Sequence, residues 1–384
     1  MGGSWRKAAA VGLLALAVAG DAAAAEALRI GALFARTGGL ESLAVPALHG
    51  VELRAAEANA AGGVLGRPVE IVVRDTASSP DGARAATREL LDQGVAALVG
   101  FVDADPAMAG GRLAQEAGVP LMVAGATSPR LPGAIGDNLF LACFGDNAQA
   151  AAGVDYLVGT LGARRVFVLA ARGHEYTDLL SAYATQALKD RGATVAGTGQ
   201  YELGKVAATV PLDAIRSAQV DAVYVAGMAE GSAELVRALR QGGIVQPLMA
   251  GDGFDTPLLL DAGSAADGVA FTTHALLDPP ADAAAARFAD AYEAKFGKAP
   301  ENAFAALGYD ALGLVLDAIT RAGSAEPAAI RQALAATHGF AGVTGTIGYA
   351  DGRRLPDKPV AVVVIRDGKP TLAAAITPTS VPAP

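Results

Sequence analysis

From Leu28 onward the chain alternates short, almost wholly apolar runs with longer alanine-rich amphipathic stretches, and the alternation continues past residue 240. LRIGALF, VEIVVRD, AALVGF and PLMVAG have the length and composition of strands, whereas residues 49 to 60, 81 to 93 and 106 to 116 carry the apolar spacing of helices. A strand with no polar face must be covered on both sides, and a helix between each strand and the next supplies that cover. The order therefore predicts an α/β fold of βαβ units with parallel sheets. At 384 residues, 52% of them hydrophobic, the chain is long enough to bury two sizeable cores.

A weak internal repeat supports two halves of similar plan. Residues 96 to 125 and 221 to 251 each read as a strand ending in glycine, a short loop, a helix, and a strand running from Pro-Leu-Met to glycine, with Gly100 and Gly125 answered by Gly227 and Gly251. Open parallel sheets bind ligands at the carboxyl ends of their strands. Two such halves facing one another would bring both sets of loops to a single cleft.

Residues 1 to 25 have the plan of a signal peptide: Arg6 and Lys7, an apolar stretch from Val11 to Ala19, then small residues from Ala23 to Ala25. The apolar stretch is well short of the ~20 residues needed to span a bilayer. Removing the segment moves the formal net charge from −9 to about −10, the wrong sign for a partner whose affinity comes from Lys and Arg at phosphates, so no nucleic-acid partner is expected. The lone cysteine, Cys143, offers no internal disulfide, no thiol partner for a metal and no lipid attachment at the cleavage region. An exported, soluble protein, most simply periplasmic, is the expectation.

The sequence offers little catalytic chemistry. It lacks G-x-S-x-G, a P-loop, paired Cys-x-x-Cys and His-Glu-x-x-His, so no catalytic residue, metal or cofactor is expected. His49 and Glu52 sit at helical spacing and read as a surface pair rather than metal ligands. His174 beside Glu175 is placed to line a cleft. The glycines of GTGQYELG have the wrong spacing to cradle a phosphate, and AGG at 61 to 63 followed by LGRP reads as a helix stop and a hairpin-like turn.

Several stretches, LRIGALFARTGGLESLA, ANAAGGVLGRPVEIVVRD, LVGFVDADPAMAG, GVPLMVAGATSPRL, LMAGDGF and ALGYDALGLVLDAI, fall in an order and spacing that resembles the periplasmic leucine/isoleucine/valine-binding proteins, the type I solute-binding proteins of ABC importers. The resemblance covers residues 28 to 370 and is most specific at NAAGGVLGR and GYDA. It implies two Rossmann-like lobes with parallel sheets joined by a three-strand hinge. The first lobe would take residues 26 to 144 and 275 to 343, the second 145 to 274 and 344 to 372 including GTIGYAD, and 373 to 384 would be a tail. It also implies closure on a ligand, with ABC permease subunits as partners and no membrane insertion once the signal is removed.

Carried over position by position, the resemblance places the ligand's carboxylate against two first-lobe loops, Asp103-Ala104-Asp105 and Gly125-Ala126-Thr127, with Thr127 as a hydroxyl donor or a plain turn residue. Asp252 falls where the family sets an acid against the ligand's ammonium, Tyr176 where it covers the ligand, Met228 and Leu43 where it places aromatics, and Phe304 as an apolar wall. Ala104 departs from the family's serine, which leaves only backbone amides there. Asp103 and Asp105 either face the cleft, favouring positive charge, or cap the following helix. Arg36, Arg130 and Arg172 lie close in sequence to these loops and are placed to supply a counter-charge to an aromatic or aliphatic acid. The ligand is read as a small amino acid or related zwitterionic or cationic solute, with an aromatic or other carboxylic acid or an amide as the alternative; a ligand sensor and a secreted α/β enzyme are the competing roles.

Overall fold

A computed structural model describes residues 1–2 and 26–384; the signal-peptide reading falls on residues outside that range. Five strands form the first sheet: β1 (Leu28–Phe34), β2 (Val69–Asp75), β3 (Ala97–Gly100), β4 (Leu121–Val123) and β5 (Leu139–Leu141). All are parallel, in the order β2-β1-β3-β4-β5. Five further parallel strands, β6 (Arg165–Ala171), β7 (Thr194–Tyr201), β8 (Ala222–Ala226), β9 (Leu248–Ala250) and β10 (Val269–Thr273), begin the second sheet. After a small β11–β12 ladder (Phe340–Gly342 with Gly345–Ile347), β13 (Val360–Arg366) and β14 (Lys369–Ile376) extend the second sheet antiparallel to seven strands. Residues of β3, β4, β5, β8, β9 and β10 are all buried, as a sheet covered on both faces requires.

Each sheet has its own core, so the molecule is two α/β lobes. The chain passes between them three times: after β5, after β10, and between β12 and β13. The repeat seen in the sequence is real at this level. β3, the helix Ala104–Glu116 and β4 match β8, the helix Ser232–Gln241 and β9, each pair of strands being adjacent and parallel.

Two local features differ from expectation. The first helix begins at Glu41, eight residues before His49, and runs through Pro46 to Ala60. Proline donates no N–H, and the carbonyl this frees on Ser42 accepts instead from Asn302 Nδ2 at 2.9 Å. Secondly, Gly345–Ile347 does not join the second sheet. It pairs with β11, and Ile347 and Tyr349 are buried in the first core, with the Tyr349 hydroxyl donating to the Leu141 carbonyl at 2.9 Å. The turn after the first helix is as expected: Gly62 and Gly63 take positive φ (100° and 82°), and Val64 bridges to Arg67. Gly197 and Gly199 of GTGQYELG lie in β7, packed close to Phe167.

Candidate functional site

Loops at the carboxyl ends of both sheets meet at a narrow interlobe cavity, the place where open parallel sheets and paired lobes present a ligand site. The first lobe contributes Val102 to Ala104 after β3, Thr127 and Ser128 after β4, and Leu40 and Leu43 near the start of the first helix. The second contributes Tyr176, Met228 with Ala229, and Asp252 with Gly253 from beyond β6, β8 and β9. The lobes touch around it: Ser128 Oγ lies 3.2 Å from Glu175 Oε1, and Leu40 packs against both cores. The two lobes therefore meet directly beside the cavity.

Local backbone choices shape this wall. Phe101, buried and bulky, is held at φ 62°, a left-handed conformation such a residue takes only under constraint. Its N–H donates to Leu33 O at 2.9 Å and its carbonyl accepts from Gly125 N at 3.0 Å, so both neighbours fix the turn that presents Val102 to Ala104. Gly125 in turn lets Phe304 lie against the loop, since a Cβ there would sit 2.7 Å from the ring.

Asp252 is the most heavily held side chain of the site. Its Oδ1 accepts from Tyr176 Oη and Gln149 Nε2, both at 2.9 Å, and its Oδ2 lies 3.1 Å from His274 Nε2. Its own N–H donates to Gln149 Oε1 at 3.0 Å, while Gly253 N donates to Tyr176 Oη at 3.1 Å. His274 stacks on Phe144 with centroids 3.7 Å apart, and its burial pushes its pKa down to about 4, so at neutral pH it stands behind Asp252 as an uncharged ring. Asp252 thus has its partners on the protein side while one side of its surroundings opens on the cavity.

Asp146 starts the helix Asp146–Asp155 and also lines the cavity. Its Oδ1 accepts from Thr127 Oγ1 at 2.7 Å and Gln149 Nε2 at 2.8 Å, whereas Oδ2 is buried without a hydrogen-bond partner. Burial, reinforced by the nearby Asp252 charge, pushes its pKa up to about 8. Asp103 caps the helix Ala104–Glu116 by accepting from Asp105 N at 3.2 Å and also lines the cavity, with burial raising its pKa to about 6.

Of the residues singled out from sequence, Asp103, Ala104, Gly125, Thr127, Tyr176, Met228, Asp252, Phe304 and Leu43 line this one cavity. Two do not. Asp105 is exposed on the first helical turn, in an outer recess that also holds His174 and Glu230, and Ala126 is buried in the first core with its carbonyl turned to Cys143 Sγ. For Asp103 the two geometries left open by the sequence are both realised at once. The Thr127 hydroxyl is engaged by Asp146, not left free. Arg36, Arg130 and Arg172 are exposed and none lines the cavity; Arg172 pairs with Glu202. His49 bonds to Tyr292 Oη at 2.9 Å and stacks on Phe296, away from the site. Sequence reasoning missed Asp146 and Gln149. Their spacing of three at a helix start puts both on one face, the signal that marks them. No cluster of metal-binding residues occurs among the described residues.

The family model described as periplasmic binding protein matches residues 27–370. The chain belongs to the periplasmic binding protein family. Among its relatives is a Leu/Ile/Val-binding protein homologue of Brucella melitensis, 27% identical, over 92% of this chain and 95% of that one. A crystal structure of a leucine-binding protein from Thermotoga maritima superposes with a TM-score of 0.83 at 30% identity, covering 91% of this chain and 99% of the other. A branched-chain amino acid transporter substrate-binding protein from Streptococcus pneumoniae, in complex with isoleucine, also reaches 0.83, at 27% identity and coverage of 91% and 99%. These are solute-binding relatives of type I fold. As a periplasmic binding protein this chain carries its cavity between two lobes, and no helix among the described residues is long and apolar enough to cross a membrane.

Proposed function

We propose that this periplasmic binding protein is the exported receptor of an ABC importer and captures a small amino acid, or a related zwitterionic or cationic solute, for ABC permease subunits. The observation that carries the reading is Asp252: a buried carboxylate lining an interlobe cavity whose walls contain neither Lys nor Arg. A ligand ammonium placed there gains a charge-assisted hydrogen bond in surroundings from which closure excludes water. The ligand carboxylate belongs on the first-lobe side, where Thr127 N and Ser128 N donate to no acceptor among the described residues. The apolar walls of Leu40, Leu43, Met228 and Phe304 suit a short aliphatic side chain. The leucine-binding protein of Thermotoga maritima and the isoleucine complex from Streptococcus pneumoniae agree with that size and chemistry.

Binding to the native state raises the melting temperature, by about 2.7 kcal/mol of stabilisation at a hundredfold excess over Kd. Leucine, isoleucine, valine and alanine are expected to give the larger shifts in a thermal scan, and amides and aromatic acids at equal concentration none. A clear shift with benzoate and none with any amino acid would replace the amino acid by a carboxylic acid as the cargo, leaving the receptor role in place.

A further inference from the structure

The carboxyls of Asp146 and Asp252 are tied together by one amide: Gln149 Nε2 donates to Asp146 Oδ1 at 2.8 Å and to Asp252 Oδ1 at 2.9 Å. Beyond that amide the two side chains differ. Asp252 is satisfied on both oxygens by Tyr176, Gln149 and His274. Asp146, with no exposed surface, has Thr127 and Gln149 on Oδ1 and nothing on Oδ2, and it lines the cavity. Of the two, only Asp146 has a whole carboxyl oxygen to give to a ligand.

We propose that Asp146 is a specificity-determining ligand contact: it keeps a proton in the empty site, and the ammonium of the ligand displaces that proton as it docks between Asp146 and Asp252. The inference rests on the amino-acid reading above. The exchange balances as a carboxylic acid plus an ammonium giving a carboxylate–ammonium pair and one proton, which leaves to solvent. Two buried carboxylates sharing one neutral amide resist ionising together, which keeps one of them protonated at neutral pH. Around them stand Asp103, the hydroxyls of Tyr176, Tyr183 and Tyr224, and the Cys143 thiol, with Glu175 further out; the hydroxyls and the thiol are held protonated by burial. His274 is neutral above about pH 4, and Lys358, the nearest buried amine, is turned away to the Ala142 carbonyl and Thr344. The same arrangement discriminates against a ligand without an ammonium, which leaves the proton in place and brings no charge to the pair.

The test is calorimetric titration of L-leucine and isoamylamine into the ligand-free protein at pH 7, in phosphate and in Tris, whose ionisation enthalpies differ. The expected result is release of roughly one proton per ligand bound, with affinity rising up to tenfold per pH unit between pH 6.5 and 7.5 and levelling above about pH 8, where Asp146 is already ionised. Asp103, half ionised near pH 6, would have lost its proton by about pH 7 and leaves the upper half of that window nearly flat. Asp146→Asn, which preserves the Oδ1 acceptor, is expected to abolish both the proton release and the slope and to weaken binding about tenfold. Binding by wild type without proton release overturns this proposal alone, whether or not the variant folds. Failure of both amines to bind overturns the amino-acid reading and this one with it.

Discussion

Replacing Asp252 by alanine is expected to abolish capture of any ammonium-bearing ligand. Removing one partner of a buried, hydrogen-bonded charge pair costs about 2–5 kcal/mol, which is roughly 30-fold to several thousand-fold in Kd. The substitution also strips the acceptor from Tyr176, Gln149 and His274, so some destabilisation accompanies it. Asp252→Asn separates the two effects. The amide keeps an acceptor for Tyr176 and Gln149 but carries no charge, so its melting temperature should stay near wild type while leucine affinity falls at least tenfold. Titration calorimetry and a thermal scan on both variants give the two readouts. Unchanged leucine affinity in the alanine variant would remove Asp252 from the ligand.

The second large effect is structural. The helices Glu41–Ala60 and Phe304–Ala322 cross at two glycines: a Cβ on Gly308 would lie 1.8 Å from the Ala47 carbonyl oxygen, and one on Gly50 would lie 1.9 Å from that of Ala305. In both cases the obstacle is backbone, which cannot swing aside as a side chain can. Gly308→Ala must push the helices apart along a buried seam, a clash at or above the usual 1–3 kcal/mol for overpacking. The urea midpoint is expected to fall accordingly with the m-value unchanged. Because Phe304 at the head of the same helix walls the cavity, leucine binding should weaken as well. Gly133→Ala is the control: nothing lies within 4 Å of its added Cβ and its φ is not positive, so no loss is expected. A midpoint for Gly308→Ala equal to that of the control would contradict the close crossing.

How much of this was legible in the sequence depended on what each stretch had to satisfy. LRIGALF and AALVGF announced themselves because strands buried on both faces have no room for polar residues. The start of the first helix did not, because Pro46 argues locally against a helix and the compensation comes from Asn302, far along the chain. GTIGYAD was placed in the wrong lobe: a three-residue strand that begins on glycine carries no mark of its partner, and burial of Ile347 and Tyr349 decides the matter. At the site, alignment of motif positions brought most of the lining residues together. It could not show that Asp105, two residues beyond the cap, is exposed, or that Asp146 leaves an oxygen unpaired. The arginines near the loops in sequence, which suggested a counter-charge for an acidic ligand, lie on the exterior, where their guanidinium groups are exposed and that of Arg172 meets Glu202.

The central claim, that the cavity selects its ligand through the ammonium at Asp252, is tested most directly by titrating ligand-free protein with L-leucine and with 4-methylpentanoate, the same molecule without its amino group. One leucine per chain, binding at least a hundredfold more tightly than the deaminated acid, is the predicted result; equal or tighter binding of the acid would contradict it.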